Sequence, residues 1–286
     1  MPKKLPLFLV LPTVIVLASV GFYPLIYSIN ISLYDLNLAI AWTTYFVGAG
    51  NYLSLLSDVW FIESTWRTLI YLTGCTTAEL LLGLGIALLM NTEMRGFRTF
   101  RFLILLPMVV TPAVAGLVWR VLYNREFGML NYFLSLFGFG PSPWVADTNL
   151  ALPCVMLVDI WQWTPMMFLM LLAGLQSLPV EVLEVAGVDG ASAFQKFRHV
   201  TLPLLVPTIV VAVLFRVMDA LKVFDAVYLL TGGGPGLTTE VLNIYAYRIG
   251  FKFFRMGYAG AIAIFILIIT MIFTTVFIFA LRRSTE

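Results

Sequence analysis

The stretch "VDIWQWTPMM", residues 158–167, places Asp159, Gln162, Trp163 and Met166 at i, i+3, i+4 and i+7. Side chains at that spacing share one face of a helix. A carboxylate, an amide and an indole on one face suit a polyhydroxylated ligand, because hydroxyls need acceptors and donors while the C–H faces of a sugar ring stack on aromatic surface. Pro165 lies within the same turn and frees backbone carbonyls where it kinks the chain. A second set, Arg216, Asp219, Ala220 and Val223, repeats the pattern further on. Neither set carries a nucleophile with its base. The chain has one histidine, and Cys75 and Cys154 lie in apolar runs where cysteine reads as a small core residue. No metal ligand spacing is present, and "TGGGPG" (231–236) lacks the Lys-Ser/Thr that a phosphate loop needs. The chemistry on offer is binding rather than catalysis.

The elements that must hold these residues are membrane helices. Of 286 residues, 61% are hydrophobic and 11% charged, with a mean hydropathy of +0.97. That is far more apolar than a soluble domain. The formal charge of +2 is too small to argue for nucleic acid, and no basic run supports such a partner. A bilayer core needs roughly 20 apolar residues in helical form. Six spans meet that need, at about 5–34, 68–92, 102–119, 150–178, 203–221 and 259–281. The first follows Lys3 and Lys4 as a signal peptide would, but its apolar run is too long and no cleavage pattern follows, so it reads as a retained helix. With the N-terminus inside, segments 1–4, 93–101, 181–201 and 282–286 hold nine Lys/Arg in 39 residues: Lys3, Lys4, Arg95, Arg98, Arg101, Lys196, Arg198, Arg282 and Arg283. The outer segments 35–67, 120–149 and 219–258 hold seven in 103. The positive-inside bias therefore places both termini in the cytoplasm. The whole chain, 1–286, reads as one all-α transmembrane domain without repeats.

Ionisable groups inside such spans are costly and serve a function or each other. Asp159, Arg216 and Asp219 therefore have two readings, a ligand site or an ion pair that holds helices or subunits together. Glu79, flanked by "LLLGLGIALL", reads as structural, with its glycines marking close helix packing.

One polar island interrupts the apolar pattern, "EVLEVAGVDGASAFQKFRHVTLPLLVP" at 181–207. Residues 180–187 have helical composition, and Gly187 and Gly190 bracket a turn at Val188–Asp189. Ser192, with Gln195 three residues on, forms a capping-box pattern for a second short helix. Phe194 and Phe197 share a face of that helix, and Pro203 marks the start of span five. The island is either a solvated loop with aromatics at the lipid interface or a docking knob, since aromatic anchors ringed by charge are what interfaces favour. His199 reads as a solvated charge.

The island resembles the "EAA" loop of bacterial ABC importer permeases, whose pattern is close to E-A-A-x-x-D-G-A, nine or ten variable residues, then L-P. Here it stands as Glu184, Val185, Ala186, Asp189, Gly190 and Ala191, then Leu202 and Pro203, with Val185 in place of an alanine. "AGLQSLP" (173–179) and "FDAVYLLTGGGP" (224–235) resemble the maltose/trehalose/glycerol-phosphate branch of that family. The resemblance implies a type I importer permease fold in which the loop at 181–202 forms coupling helices seated in a cleft of a separate ATPase. Glu184, Ala186, Asp189, Gly190, Ala191, Phe194, Phe197 and Pro203 would then serve ATPase coupling. Glu184 would pair with a basic group, Asp189 and Gly190 would shape the turn, and the two phenylalanines would fill the cleft. It also implies that Asp159, Gln162, Trp163, Met166, Arg216, Asp219, Ala220 and Val223 line a substrate cavity near mid-membrane. The expected partners are a second homologous permease, two copies of an ABC ATPase, an extracytoplasmic solute-binding protein, the lipid bilayer and a sugar. The expected location is the bacterial cytoplasmic membrane. No cofactor is expected on this chain, because ATP and Mg would bind the ATPase. An ion-driven secondary transporter using Glu79, Asp159 and Asp219 is the rival reading, and it leaves the 181–203 motif without a purpose.

Overall fold

The computed structural model describes residues 5–40, 44–91 and 97–285. Lys3, Lys4 and Arg95, which entered the charge count, lie outside the described residues, as do the side chains of Arg98 and Arg283. The chain is helical nearly throughout. In order it forms α1 (Leu5–Ser32), a small antiparallel pair β1 (Tyr34–Asp35) and β2 (Tyr45–Phe46), and α2 (Gly50–Ser57). Then come α3 (Val59–Met90), α4 (Phe97–Val109), α5 (Pro112–Leu122), α6 (Met129–Leu136) and α7 (Ala151–Gln176). The rest comprises α8 (Val180–Val188), α9 (Ala193–Lys196), α10 (Leu202–Ala220), α11 (Asp225–Leu230), α12 (Leu242–Tyr247) and α13 (Met256–Thr285). Five helical stretches among the described residues are long and apolar enough to span a bilayer, and there are six if α4 and α5, which meet at a sharp bend, are counted as one broken span.

The bend is where structure departs most from the apolar pattern. One continuous span containing Pro107 and Pro112 was expected at about 102–119; instead the chain turns by 95° between Thr99–Val109 and Pro112–Leu122. Pro107 and Pro112 each remove a backbone donor, and Thr111 caps the new helix by accepting from the Val114 N–H. The second helix begins at Val59 rather than 68, because Asp58 caps it by accepting from the Trp60 and Phe61 N–H groups. The separate starts expected at Ser192 and Pro203 fuse. Residues Ala193–Ala220 run as one helix through a π-turn at Phe197–Thr201, where the Leu202 N–H reaches back to the Phe197 carbonyl. Pro203 has no N–H to give, and a π-turn absorbs that loss without ending the helix.

The chain divides into two compact units. The first comprises residues 1–64 and 245–269. In it Asn51 donates to the Ser32 and Tyr34 carbonyls at 2.7 and 2.9 Å, closing the end of α1. Gly260 of α13 comes close enough to α1 that a Cβ would lie 3.3 Å from the Ser28 carbonyl oxygen. Burial pushes the Asp58 carboxyl up, but hydrogen bonds from the Tyr245 and Tyr258 hydroxyls and from the Phe61 and Trp60 N–H groups outweigh it and hold the group below its ordinary 3.8. A depressed carboxylate contributes stability above its unfolded pKa and loses it as pH falls through the folded value. Thermal melts in detergent should therefore be flat above about pH 5 and drop under pH 4. Asp58→Asn should erase that acid limb and cost about 2 kcal/mol at neutral pH.

The second unit comprises residues 65–244 and 270–286, and contains every residue singled out for binding or coupling. Its centre is α7, with Met167, Phe168 and Leu171 fully enclosed. Phe168, Leu171, Leu172 and Leu175 pack with Ala87 of α3 and Leu205 of α10. Of the two α3 glycines expected at a close contact, only one is there. A Cβ on Gly83 would fall 2.8 Å from Met167 Cβ and 2.9 Å from the Phe168 nitrogen, whereas Gly85 faces open space. Gly83→Leu should thus destabilise the fold by about 3 kcal/mol through overpacking against backbone, and Gly85→Ala should be neutral or slightly stabilising. Thermal denaturation of the two variants side by side checks this.

Candidate functional site

At the middle of α7 and near the end of α10 lies a buried charge cluster. Arg216 is 1% exposed. Its guanidinium binds Glu79 bidentately, Nε to Oε2 at 2.5 Å and a terminal nitrogen to Oε1 at 3.1 Å. The same terminal nitrogen donates to Asp159, and the other donates to Asp219 at 3.3 Å. Its Cζ also lies 5.6 Å from the Trp163 ring centroid, a cation–π distance. Three helices, α3, α7 and α10, are thereby tied through one side chain.

Glu79 was read as a separate structural carboxylate, and its tie to Arg216 was missed. Nothing in helix periodicity links positions 137 residues apart, although two buried opposite charges in one apolar chain were a signal that they should be tested as a pair. Cys75 and Cys154 are both buried and free, as expected of core residues. Cys75, Glu79 and Asp159 lie close enough together to resemble a metal site. However, the Arg216 guanidinium already sits on both carboxylates, so the donor set is that of an ion-pair cluster.

Against this cluster opens a cavity of about 130 Å³. Seven of the eight residues chosen from the two helical faces line it: Asp159, Gln162 and Trp163 from α7, and Arg216, Asp219, Ala220 and Val223 at the end of α10. Met166, one turn along α7, lies outside its lining. The wall also includes Pro112, Lys222, Phe224, Asp225 and Ala226, which the apolar pattern did not single out. They come from two interruptions in the helices. One is the bend before α5, whose Val110 carbonyl accepts from the Gln162 side chain at 2.6 Å. The other is the break between α10 and α11, where Asn243 donates to the Leu221 and Val223 carbonyls at 2.8 and 3.2 Å. Broken helices of this kind are where membrane carriers build polar sites, since freed backbone groups line a cavity instead of lipid. Gln162 thus spends one of its two amide N–H groups on the bend.

α11 packs tightly on α5. A Cβ on Gly116 would stand 2.9 Å from the Ala226 carbonyl oxygen. The glycine-rich turn that follows is closed by its own side chains, with the Thr231 and Thr239 hydroxyls 2.7 Å apart and Thr239 donating to the Gly234 carbonyl at 2.8 Å. It is a sealed turn, and no phosphate cradle.

The polar island forms a helix–turn–helix. α8 ends in a Schellman motif, with the Ala191 N–H bonded to the Ala186 carbonyl and the Gly190 N–H to the Gly187 carbonyl. Gly190 has φ +77°, a left-handed conformation that favours glycine because a Cβ there is unfavourable. The capping box expected at Ser192 and Gln195 is formed in both directions. Glu184, Asp189, Phe194 and Pro203 are exposed, and Ala186 and Ala191 are half-buried. Phe197, expected on an exposed face with Phe194, is also half-buried. Val188, at 88% exposure, stands at the apex of the turn.

Residues 80–285 match the family model described as binding-protein-dependent transport system inner membrane component. The chain is 38% identical over 236 residues to the trehalose/maltose transport system permease protein MalF of Thermococcus litoralis, covering 82% of this chain and 79% of that protein. It is 35% identical over 282 residues to the sulfoquinovosyl glycerol transport system permease protein SmoG of Agrobacterium fabrum, covering 99% and 92%. Among solved structures, a chain of a bacterial alginate ABC transporter, determined in complex with an alginate pentasaccharide-bound periplasmic protein, superposes with a TM-score of 0.86 at 22% identity, covering 99% of this chain and 96% of that one.

Proposed function

Since the chain belongs to the family of binding-protein-dependent transport system inner membrane components and is a permease subunit of an ABC importer, we propose that its cargo is a sugar, a di- or oligosaccharide, moved by alternating access through the cavity between α7 and α10. The observation that carries the proposal is the convergence of Asp159, Gln162, Trp163, Asp219 and Val223 on one cavity at two helix breaks. The relatives named for trehalose/maltose and for sulfoquinovosyl glycerol support the sugar class. At about 130 Å³ the cavity is well below the roughly 300 Å³ at which sites begin to enclose small organic ligands. One chain thus supplies one wall of a pathway, and a second homologous permease supplies the other.

The remaining assembly follows from the same reading. Two ABC ATPase copies hold ATP and Mg, and dock on the 181–203 island through Glu184, Val188, Phe194 and the Asp189–Gly190 turn. A rigid, capped knob lets closure of the ATPases pull on α10, with which α9 is continuous. The single permease domain lies in the bacterial cytoplasmic membrane with both termini in the cytoplasm, and an extracytoplasmic solute-binding protein delivers sugar to the opposite side. The test is uptake into proteoliposomes containing the whole complex and its binding protein, with trehalose, maltose, maltotriose and a set of amino acids as probes. ATP-dependent uptake of at least one sugar is expected. Uptake of amino acids alone, or sugar uptake that persists without nucleotide and collapses with an uncoupler, overturns the proposal.

A further inference from the structure

A sugar cargo leaves its charge open, and the cavity wall bears on that question. In "DALKVFD", residues 219–225, Lys222 stands three residues from an aspartate on either side, and all three charged residues line the cavity with Asp159 and Arg216. Among the described residues, two cations thus meet three carboxylates. Arg216 looks like the group to grip an anion, but it is engaged. Of the five N–H donors a guanidinium carries, four are bonded to Glu79, Asp159 and Asp219. The forked edge that recognises carboxylates and phosphates is closed on Glu79. An incoming acid would have to strip Arg216 from two buried carboxylates, which is strongly unfavourable. The short helix α11 opens with Asp225, a further carboxylate on the same wall. That leaves Lys222, outnumbered by its neighbours Asp219 and Asp225.

We infer that this cavity selects against anionic sugars such as uronates and sugar phosphates and admits neutral ones, with Asp219 and Asp225 as the residues that set the selection. The inference rests on the sugar reading above, and its test separates the two. A cysteine at the cavity wall, Val223→Cys, is labelled in the assembled complex with methanethiosulfonates bearing either a trimethylammonium or a sulfonate group, each rate normalised to that with a free thiol. The cationic reagent should react at least about tenfold faster. Asp225→Asn and Asp219→Asn should each narrow that ratio, and Lys222→Asn should widen it. In parallel, uptake per loaded binding protein should fall about tenfold from maltose or trehalose to the corresponding uronate. Equal labelling by both reagents, or uronates carried as fast as the neutral sugars, overturns the inference and leaves the sugar reading standing. Carriage of neither class overturns the sugar reading and this inference with it.

Discussion

Replacing Arg216 with methionine is expected to cost about 3–5 kcal/mol of stability. The side chain is the shared partner of Glu79, itself fully buried, and Asp159, at 4% exposure. Methionine fills much of the volume but leaves two carboxylates buried without a cation. The loss should appear as a lower melting temperature in detergent and a smaller folded yield. Adding Glu79→Gln should restore part of it, because the amide needs hydrogen bonds but no counter-charge. Asp219→Asn, by contrast, removes a partner whose side chain is 48% exposed, and should cost under about 1 kcal/mol. Equal stability of Arg216→Met and the natural protein would show that the cluster does not hold α3, α7 and α10 together.

The second large effect falls on coupling and spares the fold. Gly190→Trp should insert and melt nearly normally, yet lose ATPase co-purification and more than about a hundredfold of uptake. A side chain at Gly190 meets nothing within 4 Å, so the internal cost is the left-handed backbone alone, about 1–2 kcal/mol. The indole instead projects from the exposed turn that the ATPase is proposed to enclose. Gly190→Ala separates the two contributions, since it bears the same backbone cost without the bulk, and should keep most of the uptake. Normal transport by Gly190→Trp would remove the island from the coupling path.

Much of this was legible from local pattern. Apolar run lengths located the membrane helices, and the i, i+3, i+4, i+7 spacing picked out seven of the twelve residues that line the cavity. Ser192 and Gln195 foretold their capping box, because both partners lie within one helical turn. The failures share a cause: each depended on a partner far along the chain or on how proline is accommodated. The Val110 carbonyl at the bend is satisfied by Gln162, 52 residues away, and the break after Ala220 by Asn243. Without those partners in view, residues 102–119 read as one continuous span and Lys222–Ala226 as part of an outer loop. Pro203 suggested a helix start, where a π-turn carries the helix through.

The central claim is that sugar passes the α7–α10 cavity and that nucleotide on a partner ATPase controls which side it opens to. Val223→Cys reports this most directly, with Cys75 and Cys154 buried and silent. In the reconstituted complex, a membrane-impermeant thiol reagent should label the cysteine from one side without nucleotide and from the other with ATP and a hydrolysis-deficient ATPase, and the transported sugar should protect it. Labelling from the same side at the same rate in both states, unaffected by sugar, would contradict the account.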